Sequence, residues 1–600
     1  MDRENQSRLF ITLLFIIFIV LFGRLWQLQV LEYSTYSALS KENTTRTIPT
    51  LAPRGIIYDR HGKVIVANRA IFSVYIFPSS IDNEEQLKKV ISSVSRIVQV
   101  PQEKILKKIN ENKSRPFEPI LIKDDLSIKT VTALEERQYS LLGMVINVRP
   151  VRYYPYKNLA AQVLGYVGEI TKEELNHLRE QGYNLKDMIG KEGIEITYDK
   201  YLRGRDGGQQ LEIDVSGRPV RTVGALEPVP GSDMKLTIDL ELQKLVEKNL
   251  EGKRGAVIVM DPRSGEILAM ASHPSYDPNI FAAPLDKREW EKMDKEGHPF
   301  LNRALSTYPP GSTFKVVNLS ATLQEKTVSL DEIFECKGYY ILGNRKAMCW
   351  ISAYPQKGHG KLNILEGLVQ SCDVVYYQLG LRNGPDLLSK YAQSYGLGAR
   401  TGIDLPGELA GVVPTEEWKK RVYKDVWVKG DSINFGIGQG FLIVTPIQMA
   451  NVYGTIATGK RYVPHVALDV RSREGKEIFS YKPIEMGVIP LSPENANLLR
   501  DTMRQVVKRG TGIAAEVKDM PAAGKTGTAE NPGNPHAWFM CFAPYGSPEV
   551  VVISFVEHGI HGDRVTAYIA REILKWYRDN VYDKEKANEG NRGQNNGKAG

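Results

Sequence analysis

Cysteine is scarce in this chain, with only four among 600 residues. So few thiols cannot hold a chain of this length together, which excludes a disulfide-stapled scaffold. An excess of one charge is also lacking, because 78 Lys and Arg against 70 Asp and Glu leave a formal net charge of +8. This mild basic bias suits a membrane surface or a cell-wall polymer as neighbour, and it is too dilute to indicate nucleic-acid binding.

Long hydrophobic runs are lacking everywhere except near the N-terminus. Residues 9–23 carry no charge, and continuing the run to Val30 gives a helix of about 33 Å, enough for a bilayer core of about 30 Å. Arg24 can snorkel to the interface, and no small-residue cleavage site follows. The run predicts an uncleaved membrane anchor, with a removed signal peptide and a buried core helix as the alternatives.

The two ends of the chain differ in character. Arg3 and Arg8 precede the apolar run and predict that the short N-terminus stays in the cytoplasm, with the bulk of the chain outside. Residues 584–600 have no apolar cluster and are rich in Gly, Asn and Lys, which predicts disorder. Composition changes again near residue 235, so we expect an anchor at 1–30, a mixed α+β region at 31–234, an enzyme-like domain at 235–580 and a tail at 581–600.

The region before residue 235 mixes short strands with charged helices. Residues 64–67 and 72–76 are rich in β-branched and aromatic side chains and predict two strands. Residues 84–113 have helical spacing and many lysines, which we interpret as a solvated helix face. No acid/base pair stands out here, so we expect this region to be non-catalytic.

The region after residue 235 has the pattern of an α/β enzyme. Residues 256–260 and 267–271 flank a turn and predict a β-hairpin, and residues 551–556 predict another buried strand. Residues 364–369 and 387–395 have helical character. Strands at both ends with helices between them predict one sheet assembled from distant segments.

Residues 308–317, which read YPPGSTFKVV, give the first signal of chemistry. The Pro-Pro-Gly turn predicts that Ser312 stands at the N-terminus of a helix, with Lys315 on the same face and its amine close to the hydroxyl. A serine hydroxyl needs a base to act as nucleophile, and a buried lysine can be that base. S-x-x-K alone is a weak signal, because a helix-capping serine beside a solvated lysine has the same pattern.

Two further segments strengthen this signal. Ser371 and Asp373 follow a helical run, where a second hydroxyl beside a carboxyl could relay a proton to a leaving amine. Residues 525–528 read KTGT and predict an edge strand on which the lysine and the threonine hydroxyls bind a carboxylate. In such a strand Gly527 would let a substrate backbone approach closely.

The order S-x-x-K, S-x-D, K-T-G is that of the penicillin-binding proteins and serine β-lactamases. The chain resembles a class B penicillin-binding protein over almost everything except the tail. The resemblance extends to residues 54–62 (RGIIYDRHG), 193–195, 198–199, 202–204, 214–218, 436–440 and 445–446. Asp373 departs from the usual S-x-N, and S-x-D recurs in the penicillin-binding protein 2 branch, which favours elongation over division.

The resemblance implies the fold and the cellular place of the protein. We expect an α/β (α+β) transpeptidase domain of the penicillin-binding and serine β-lactamase type, preceded by an elongated mixed α+β pedestal of the dimerisation type. One N-terminal transmembrane helix would anchor it in the bacterial cytoplasmic (inner) membrane, with the catalytic domain outside. The pedestal would contact a membrane-embedded glycosyltransferase of the shape, elongation, division and sporulation (SEDS) class.

The resemblance also implies D,D-transpeptidation of peptidoglycan stem peptides. Ser312 would attack the carbonyl between two terminal D-alanines, Lys315 would take its proton, and Ser371 would protonate the leaving D-alanine. The N–H groups of Ser312 and Thr528 would form the oxyanion hole. An amine from a neighbouring stem would then resolve the acyl-enzyme, which β-lactams would trap.

The remaining members of the expected site bind or support the substrate. Lys525, Thr526 and Thr528 would hold the terminal carboxylate, beside Gly527, and Asp373 would belong to the catalytic group. Two rival functions stay open, a β-lactam hydrolase or D,D-carboxypeptidase and a non-catalytic scaffold for a glycan polymerase, besides a division-type transpeptidase.

Three of the four cysteines, Cys336, Cys349 and Cys372, lie close together in the sequence and His359 is among them. A thiolate-rich set with one imidazole suits tetrahedral zinc, although the spacing is not that of a compact C-x-x-C knuckle. Some members of the penicillin-binding protein 2 branch carry zinc in the loop before S-x-D, which this set resembles. A disulfide and free buried thiols remain the alternatives, and acyl transfer itself requires no cofactor.

Overall fold

The computed structural model describes residues 3–34, 45–81, 83–112, 119–213, 219–282, 287–295, 297–355, 357–559, 562 and 564–584. The predicted disorder of residues 585–600 and the motif at 214–218 lie outside these ranges. The first element is the helix Arg3–Trp26, continued by a π-helical turn at Gln27–Leu31. Residues 8–31 have a mean hydropathy of 2.5 and none of that window is buried, so the helix is long and apolar enough to cross a membrane.

The chain divides into two compact units that are each built from separate segments. One unit comprises Met1–Arg54, Asn68–Val151 and Arg203–Gly231. The other comprises Gly55–Ala67, Arg152–Leu202 and Ser232–Gly600. The larger unit therefore contains two early segments of the sequence together with everything after residue 231.

Beyond the N-terminal helix, the smaller unit contains a three-stranded sheet and a group of helices and strands with its own apolar core. Its three-stranded antiparallel sheet has the order Thr45–Thr50, Gly207–Ile213, Pro219–Leu226. In that group, the helices Glu84–Val98, Gln102–Glu111 and Ile128–Glu135 accompany the strand Ile120–Lys123 and the parts of Met144–Tyr153 and Val64–Ile76 that belong to this unit. Val74, Ile91 and Ile122 lie in the shared apolar core. Apolar spacing on one face of each helix explains this packing.

The structure refines two local predictions for the smaller unit. Residues 64–76 form one continuous strand, because Asn68 and Arg69 continue the extended backbone between the two apolar runs. The helical region predicted at 84–113 contains two helices, Glu84–Val98 and Gln102–Glu111, since Gln99 adopts a left-handed conformation (φ 56°) and Pro101 follows it. Proline lacks the amide hydrogen that a helix interior requires, and it disfavours helical backbone in the residue before it.

A five-stranded antiparallel sheet forms the centre of the larger unit. Its order is Ile267–His273, Gly255–Met260, Val550–Val556, His536–Ala543, Ala523–Ala529. The predicted hairpin, the predicted strand at 551–556 and the assembly of one sheet from distant segments are confirmed. The three middle strands are buried at every position, because helices cover both faces.

The helices of the larger unit cover the sheet on two sides. Leu240–Leu250 and Val565–Tyr577 share one apolar core with it, and Pro446–Thr458 contacts it from the main core. Helices that lie in sequence between the two halves of the sheet include Lys315–Glu325, Ile364–Val369, Asp373–Ser394, Glu416–Tyr423, Lys429–Gly436, Pro446–Thr458 and Pro493–Arg509. The helix Asp373–Ser394 is kinked at Gly384, which precedes Pro385.

Shorter elements complete the larger unit. Its other helices are Ala161–Leu164, Lys172–Leu178, Gly193–Thr197, Asp199–Leu202 and Lys287–Lys295. Its other strands are Ile57–Tyr58, Val167–Glu169, Met188–Gly190, Asp233–Leu236, Phe334–Cys336, Tyr339–Leu342, Arg345–Met348, Gly360–Leu362, Lys460–Tyr462, Ala467–Arg471, Glu477–Ser480 and Glu485–Val488.

Early segments of the sequence are joined to later ones within this unit. Ile57–Tyr58 pairs in parallel with Asp233–Leu236, which pairs on its other side with Ala467–Arg471. Arg152 and Glu195 form a buried ion pair with an Nε–Oε1 distance of 2.6 Å. Segments upstream of residue 235 thus contribute strands and a buried charge pair to the larger unit.

Candidate active site and thiol cluster

Ser312 lies in a 3₁₀ turn, Gly311–Phe314, directly before the helix Lys315–Glu325. The turn is held from both sides, since the Gly311 N–H donates to the Gly438 carbonyl (2.9 Å) and the Trp538 indole donates to the carbonyl of Pro309 (3.1 Å). Ser312 is half-buried while its neighbours in the turn are buried. The placement of Ser312 at the head of a helix agrees with the prediction from the Pro-Pro-Gly turn.

Two glycines allow the close approaches that build this site. A Cβ on Gly438, whose φ is 76°, would lie 2.2 Å from the carbonyl oxygen of Gly311. A Cβ on Gly527 would lie 2.7 Å from Cγ2 of Thr313 and 3.2 Å from the carbonyl oxygen of Pro310. Gly527 therefore brings the strand Ala523–Ala529 directly against the Ser312 turn, which is a structural reason for glycine that the sequence did not reveal.

Lys315 is fully buried and is held by the S-x-D segment. Its Nζ donates to Oδ1 of Asp373 (2.8 Å) and to the Ser371 carbonyl (2.8 Å), and it lies 3.5 Å from the Ser371 hydroxyl. It also lies 5.3 Å from the centre of the Tyr376 ring, within range of a cation–π interaction. Within the described ranges, the Ser312 hydroxyl has no hydrogen-bond partner, because the Lys315 amine is directed to Asp373 and Ser371.

The S-x-D segment is a sharp turn at the start of the helix Asp373–Ser394. Ser371 has a left-handed backbone (φ 53°), which is costly for a residue with a Cβ and is typical of functional sites. Burial raises the pKa of the Asp373 carboxyl above its ordinary value, although the Lys315 ammonium opposes this shift. The second oxygen of Asp373 accepts the backbone N–H of Trp350 at 2.9 Å.

Lys525 and Thr526 form the third side of the site. Lys525 is fully buried, and its Nζ donates to the Thr526 carbonyl at 3.0 Å. The hydroxyls of Thr526 and Thr511 lie 2.7 Å apart. Burial lowers the pKa of the Lys525 amine well below its ordinary value, and the positive charge of Lys315 lowers it further. The two lysines thus share one polar interior.

The structure brings the predicted catalytic and substrate-binding residues into one place. Lys315 contacts Ser371 and Asp373, and the strand that carries residues 525–528 lies against the Ser312 turn. Sequence reasoning missed the contributions of Tyr376, Trp350 and Thr511. Tyr376 is close to Asp373 in the sequence and Trp350 follows Cys349, but only the fold shows that their side chains reach Lys315 and Ser371.

Cys336, Cys349, His359 and Cys372 form a second cluster beside this site. The four potential ligand atoms all lie within 4.8 Å of one another. Nδ1 of His359 is 3.5 Å from the Cys336 sulfur and 3.6 Å from the Cys349 sulfur. All three cysteines are buried with free thiols, so no disulfide joins them. The predicted set of four residues therefore converges in space.

The chemistry of the cluster fits a soft divalent cation. Hydrogen bonds from the Cys349 and Cys372 thiols lower the pKa of Cys336, while Cys336 and Cys349 raise the pKa of Cys372. Three thiols this close cannot all lose their protons unless a cation compensates the charge. Three sulfurs and one imidazole nitrogen are the donor set of a tetrahedral structural zinc site.

Comparison with known families matches nearly the whole chain beyond the N-terminal helix. Residues 255–575 match the penicillin binding protein transpeptidase domain, and residues 49–236 match the penicillin-binding protein dimerisation domain. The peptidoglycan D,D-transpeptidase MrdA of Acinetobacter baumannii is 32% identical over 601 residues, which cover 96% of this chain and 88% of that protein.

Solved structures show the same similarity in three dimensions. The penicillin-binding protein PBP2 of Helicobacter pylori, solved in complex with MreC, matches with a TM-score of 0.78 and 29% identity over 90% of this chain and 100% of that one. A chain from a structure described as coordinating polymerization and crosslinking by a peptidoglycan synthase complex matches with a TM-score of 0.70 and 31% identity, covering 96% of this chain and 98% of that one.

Proposed function

The chain belongs to the penicillin-binding proteins with a dimerisation and a transpeptidase domain, and we propose that it cross-links peptidoglycan through an acyl-enzyme on Ser312. It is a peptidoglycan D,D-transpeptidase of cell elongation, which agrees with its similarity to the peptidoglycan D,D-transpeptidase MrdA and to the PBP2 solved in complex with MreC. The observation that supports these site residues is the approach of the S-x-x-K turn, the S-x-D turn and the K-T-G strand around the buried amine of Lys315.

In the acylation step Ser312 attacks the carbonyl between two D-alanines. Lys315 acts as the base in its neutral form, and the Asp373 carboxylate lies 2.8 Å from its amine. Lys315 then accepts the Ser312 proton as the carbon–oxygen bond forms. The C–N bond breaks, and Ser371, whose hydroxyl lies 3.5 Å from Lys315, passes a proton to the leaving D-alanine.

The negative charge on the tetrahedral intermediate needs donors that are already in position. The N–H groups of Ser312 and Thr528 are the proposed oxyanion hole, because the Ala523–Ala529 strand lies against the Ser312 turn. One such donor lowers the activation barrier by about 3 kcal/mol in comparable sites. An amine of a second stem peptide then attacks the ester carbonyl and regenerates the Ser312 hydroxyl.

Lys525, Thr526 and Thr528 are the proposed site for the terminal carboxylate of the donor stem. The lowered pKa of Lys525 means that the positive charge on this amine is unfavourable unless an anion lies beside it. A bound carboxylate favours the ammonium form, so substrate binding and protonation of Lys525 support each other. The same three residues would bind the carboxylate of a β-lactam.

Mass spectrometry of the penicillin adduct tests this assignment. After exposure to penicillin, intact-mass analysis and peptide mapping should place one adduct on Ser312, and Ser312→Ala should remove it. Ser306→Ala is a matched control, because that hydroxyl only donates to the Asn302 carbonyl. An adduct elsewhere would contradict the assignment. Release of the adduct within seconds would favour a β-lactam hydrolase, and full support of rod shape by Ser312→Ala would favour a scaffold.

We also propose that Cys336, Cys349, His359 and Cys372 hold a structural zinc ion. Their convergence and the absence of a disulfide among the three thiols support it. Such an ion would fix the segment before the S-x-D turn and takes no part in acyl transfer. Purified protein should contain one zinc per chain, and Cys349→Ser should lose it while Cys541→Ser, a buried thiol outside the cluster, retains it. A metal-free protein with a Cys336–Cys349 disulfide would contradict the proposal.

Partners and orientation complete the proposal. The N-terminal helix fits a single-pass anchor in the inner membrane, and Arg3 and Arg8 favour a cytoplasmic N-terminus. A SEDS-class glycosyltransferase is the proposed partner of the dimerisation domain, in keeping with the relative solved in a peptidoglycan synthase complex. Affinity purification from crosslinked cells should recover such a polytopic protein, and protease should reach residues after the anchor only from outside. Ser312→Ala should change neither the recovery of this partner nor the pattern of protease access.

A further inference from the structure

We propose that Trp350 is a positioning residue of the transpeptidase reaction, holding the Ser371–Asp373 turn in the form that contacts Lys315. The inference rests on the proposed function, because it assigns Trp350 a role in the placement of the proposed base. Trp350 does not touch Ser312 in any hydrogen bond of the described chain, so it acts through the residues that it binds.

Trp350 binds the carboxylate that holds Lys315. Its backbone N–H donates to Oδ2 of Asp373 at 2.9 Å, while Oδ1 of the same carboxylate accepts from Lys315 at 2.8 Å. Each carboxylate oxygen thus has its own donor, and rotation of the carboxylate would break both hydrogen bonds. This pairing fixes the direction in which Asp373 presents Oδ1 to the lysine.

The Trp350 side chain binds the other group that holds Lys315. Its indole Nε1 donates to the Ser371 carbonyl at 3.1 Å and to the Gln370 carbonyl at 3.2 Å. The Ser371 carbonyl also accepts from the Lys315 amine at 2.8 Å. Ser371 is the residue with the left-handed backbone (φ 53°), and such a conformation persists only where surrounding contacts enforce it. The indole supplies one of those contacts.

The exposure of Trp350 argues against a purely apolar role. The residue is 40% exposed, although tryptophan usually places its large ring in a core. Its ring centre lies 5.5 Å from that of His359 and 5.6 Å from that of Tyr354, so the ring is oriented by neighbours rather than enclosed. A partly exposed ring whose N–H points inward to two carbonyls is placed by its hydrogen bonds.

Two substitutions at Trp350 separate the effect of the indole N–H hydrogen bond from the effect of the size of the ring. Trp350→Phe keeps a large ring and removes the N–H. Trp350→His keeps a ring N–H at the same number of bonds from Cβ and removes the second ring. Neither changes the backbone N–H that binds Asp373. Trp290→Phe is the matched control, because Trp290 is 37% exposed and stacks on Phe300.

The measurement is the acylation of the full-length protein by a fluorescent penicillin in stopped flow. It yields the acylation rate constant and the dissociation constant separately, alongside the thermal midpoint and the zinc content. We expect Trp350→Phe to lower the rate constant about tenfold, the equivalent of one hydrogen bond, with the dissociation constant changed less than twofold. Trp350→His should recover most of the rate, and Trp290→Phe should equal wild type.

Other outcomes overturn the proposal. An unchanged rate constant in Trp350→Phe would show that the indole N–H has no positioning role. A slow Trp350→His with a normal Trp350→Phe would assign the effect to bulk, as would a rate that falls only together with the thermal midpoint or the zinc content. Wild-type protein whose adduct maps to Ser312 keeps the proposed function intact in each case, so the two failures are distinguishable.

Discussion

The Lys315 amine lies 2.8 Å from the Asp373 carboxylate, and both groups are buried. Before substrate binds, the proposed base is therefore held by an acid, while the half-buried nucleophile has no hydrogen-bond partner among the described residues. A buried ammonium without a counter-ion is strongly destabilising, so Asp373 both stabilises the fold and keeps the amine in place.

Asp373→Ala should destabilise the protein by roughly 3–5 kcal/mol, because it leaves the Lys315 charge buried and unpaired. Chemical unfolding of the variant measures this loss. Glu332→Ala is the control, since its ion pair with Arg382 has side chains 36% and 40% exposed, and a solvent-exposed pair contributes little to stability. Equal effects of the two variants would show that the Lys315–Asp373 pair has no special importance.

Gly438→Ala should abolish acylation by penicillin. The new Cβ would lie 2.2 Å from the Gly311 carbonyl oxygen, and a φ of 76° is strained for alanine, so the Ser312 turn has to move. Labelling with fluorescent penicillin reports the result. Gly546→Ala, where the Cβ would meet open space, should label as wild type does. Normal labelling of Gly438→Ala would show that the turn tolerates displacement.

Glu195→Ala should lower the thermal midpoint by several degrees, although residue 195 precedes the enzyme-like domain in the sequence. The change removes the buried partner of Arg152, and an uncompensated buried charge typically costs about 3–5 kcal/mol. Calorimetry checks the midpoint. Penicillin labelling of the folded fraction should persist at low temperature, and its loss there would indicate a role for Glu195 beyond stability.

Glu247→Gln should stabilise the protein above pH 7 and have little effect near pH 4.5. Burial raises the pKa of Glu247 to about 7. Between pH 4.5 and 7 the folded state holds a proton that the unfolded state has released, so wild-type stability falls as pH rises through this window. Glutamine keeps the oxygen that accepts from Ala160 and Gln243 and does not titrate.

The free energy of unfolding of both proteins, measured between pH 4.5 and 8.5, tests this prediction. The difference between Glu247→Gln and wild type should grow to roughly 1–3 kcal/mol by pH 7.5 and stay level above it. A difference that is independent of pH would mean that Glu247 is ionised in the folded state throughout.

Local patterns predicted the central sheet well, because its strands are short apolar runs bounded by turns. The hairpin at residues 256–271 needed only contacts between neighbours in sequence. The S-x-x-K, S-x-D and K-T-G segments were predicted from the order of motifs, and the fold brings them together. The sequence could not show that Lys315 bonds Asp373 in preference to Ser312, because that choice depends on the geometry of a 3₁₀ turn and of a left-handed Ser371.

Other failures have simple physical causes. Pro101 and the left-handed Gln99 break the helical run at 84–113, and the proline was visible in the sequence. The close approach of Gly527 to Thr313 was not foreseen, because it depends on how the Ala523–Ala529 strand packs against the Ser312 turn; the approach of a substrate backbone at Gly527 stays a prediction. The pairing of Ile57–Tyr58 with Asp233–Leu236 joins segments far apart in the chain, and a two-residue strand has no periodic pattern to reveal it.

The larger unit is built from segments that lie far apart in the sequence, and this affects how the chain folds during its synthesis. Ile57–Tyr58 is synthesised long before its partner strand Asp233–Leu236. Asp233–Leu236 is in turn synthesised long before its second partner, Ala467–Arg471. The nascent chain must keep these edges unpaired during translocation, when a chaperone could shield them. A gene that encoded only residues 235 onward would omit Ile57–Tyr58, Arg152 and Glu195, so we expect its product to aggregate rather than fold.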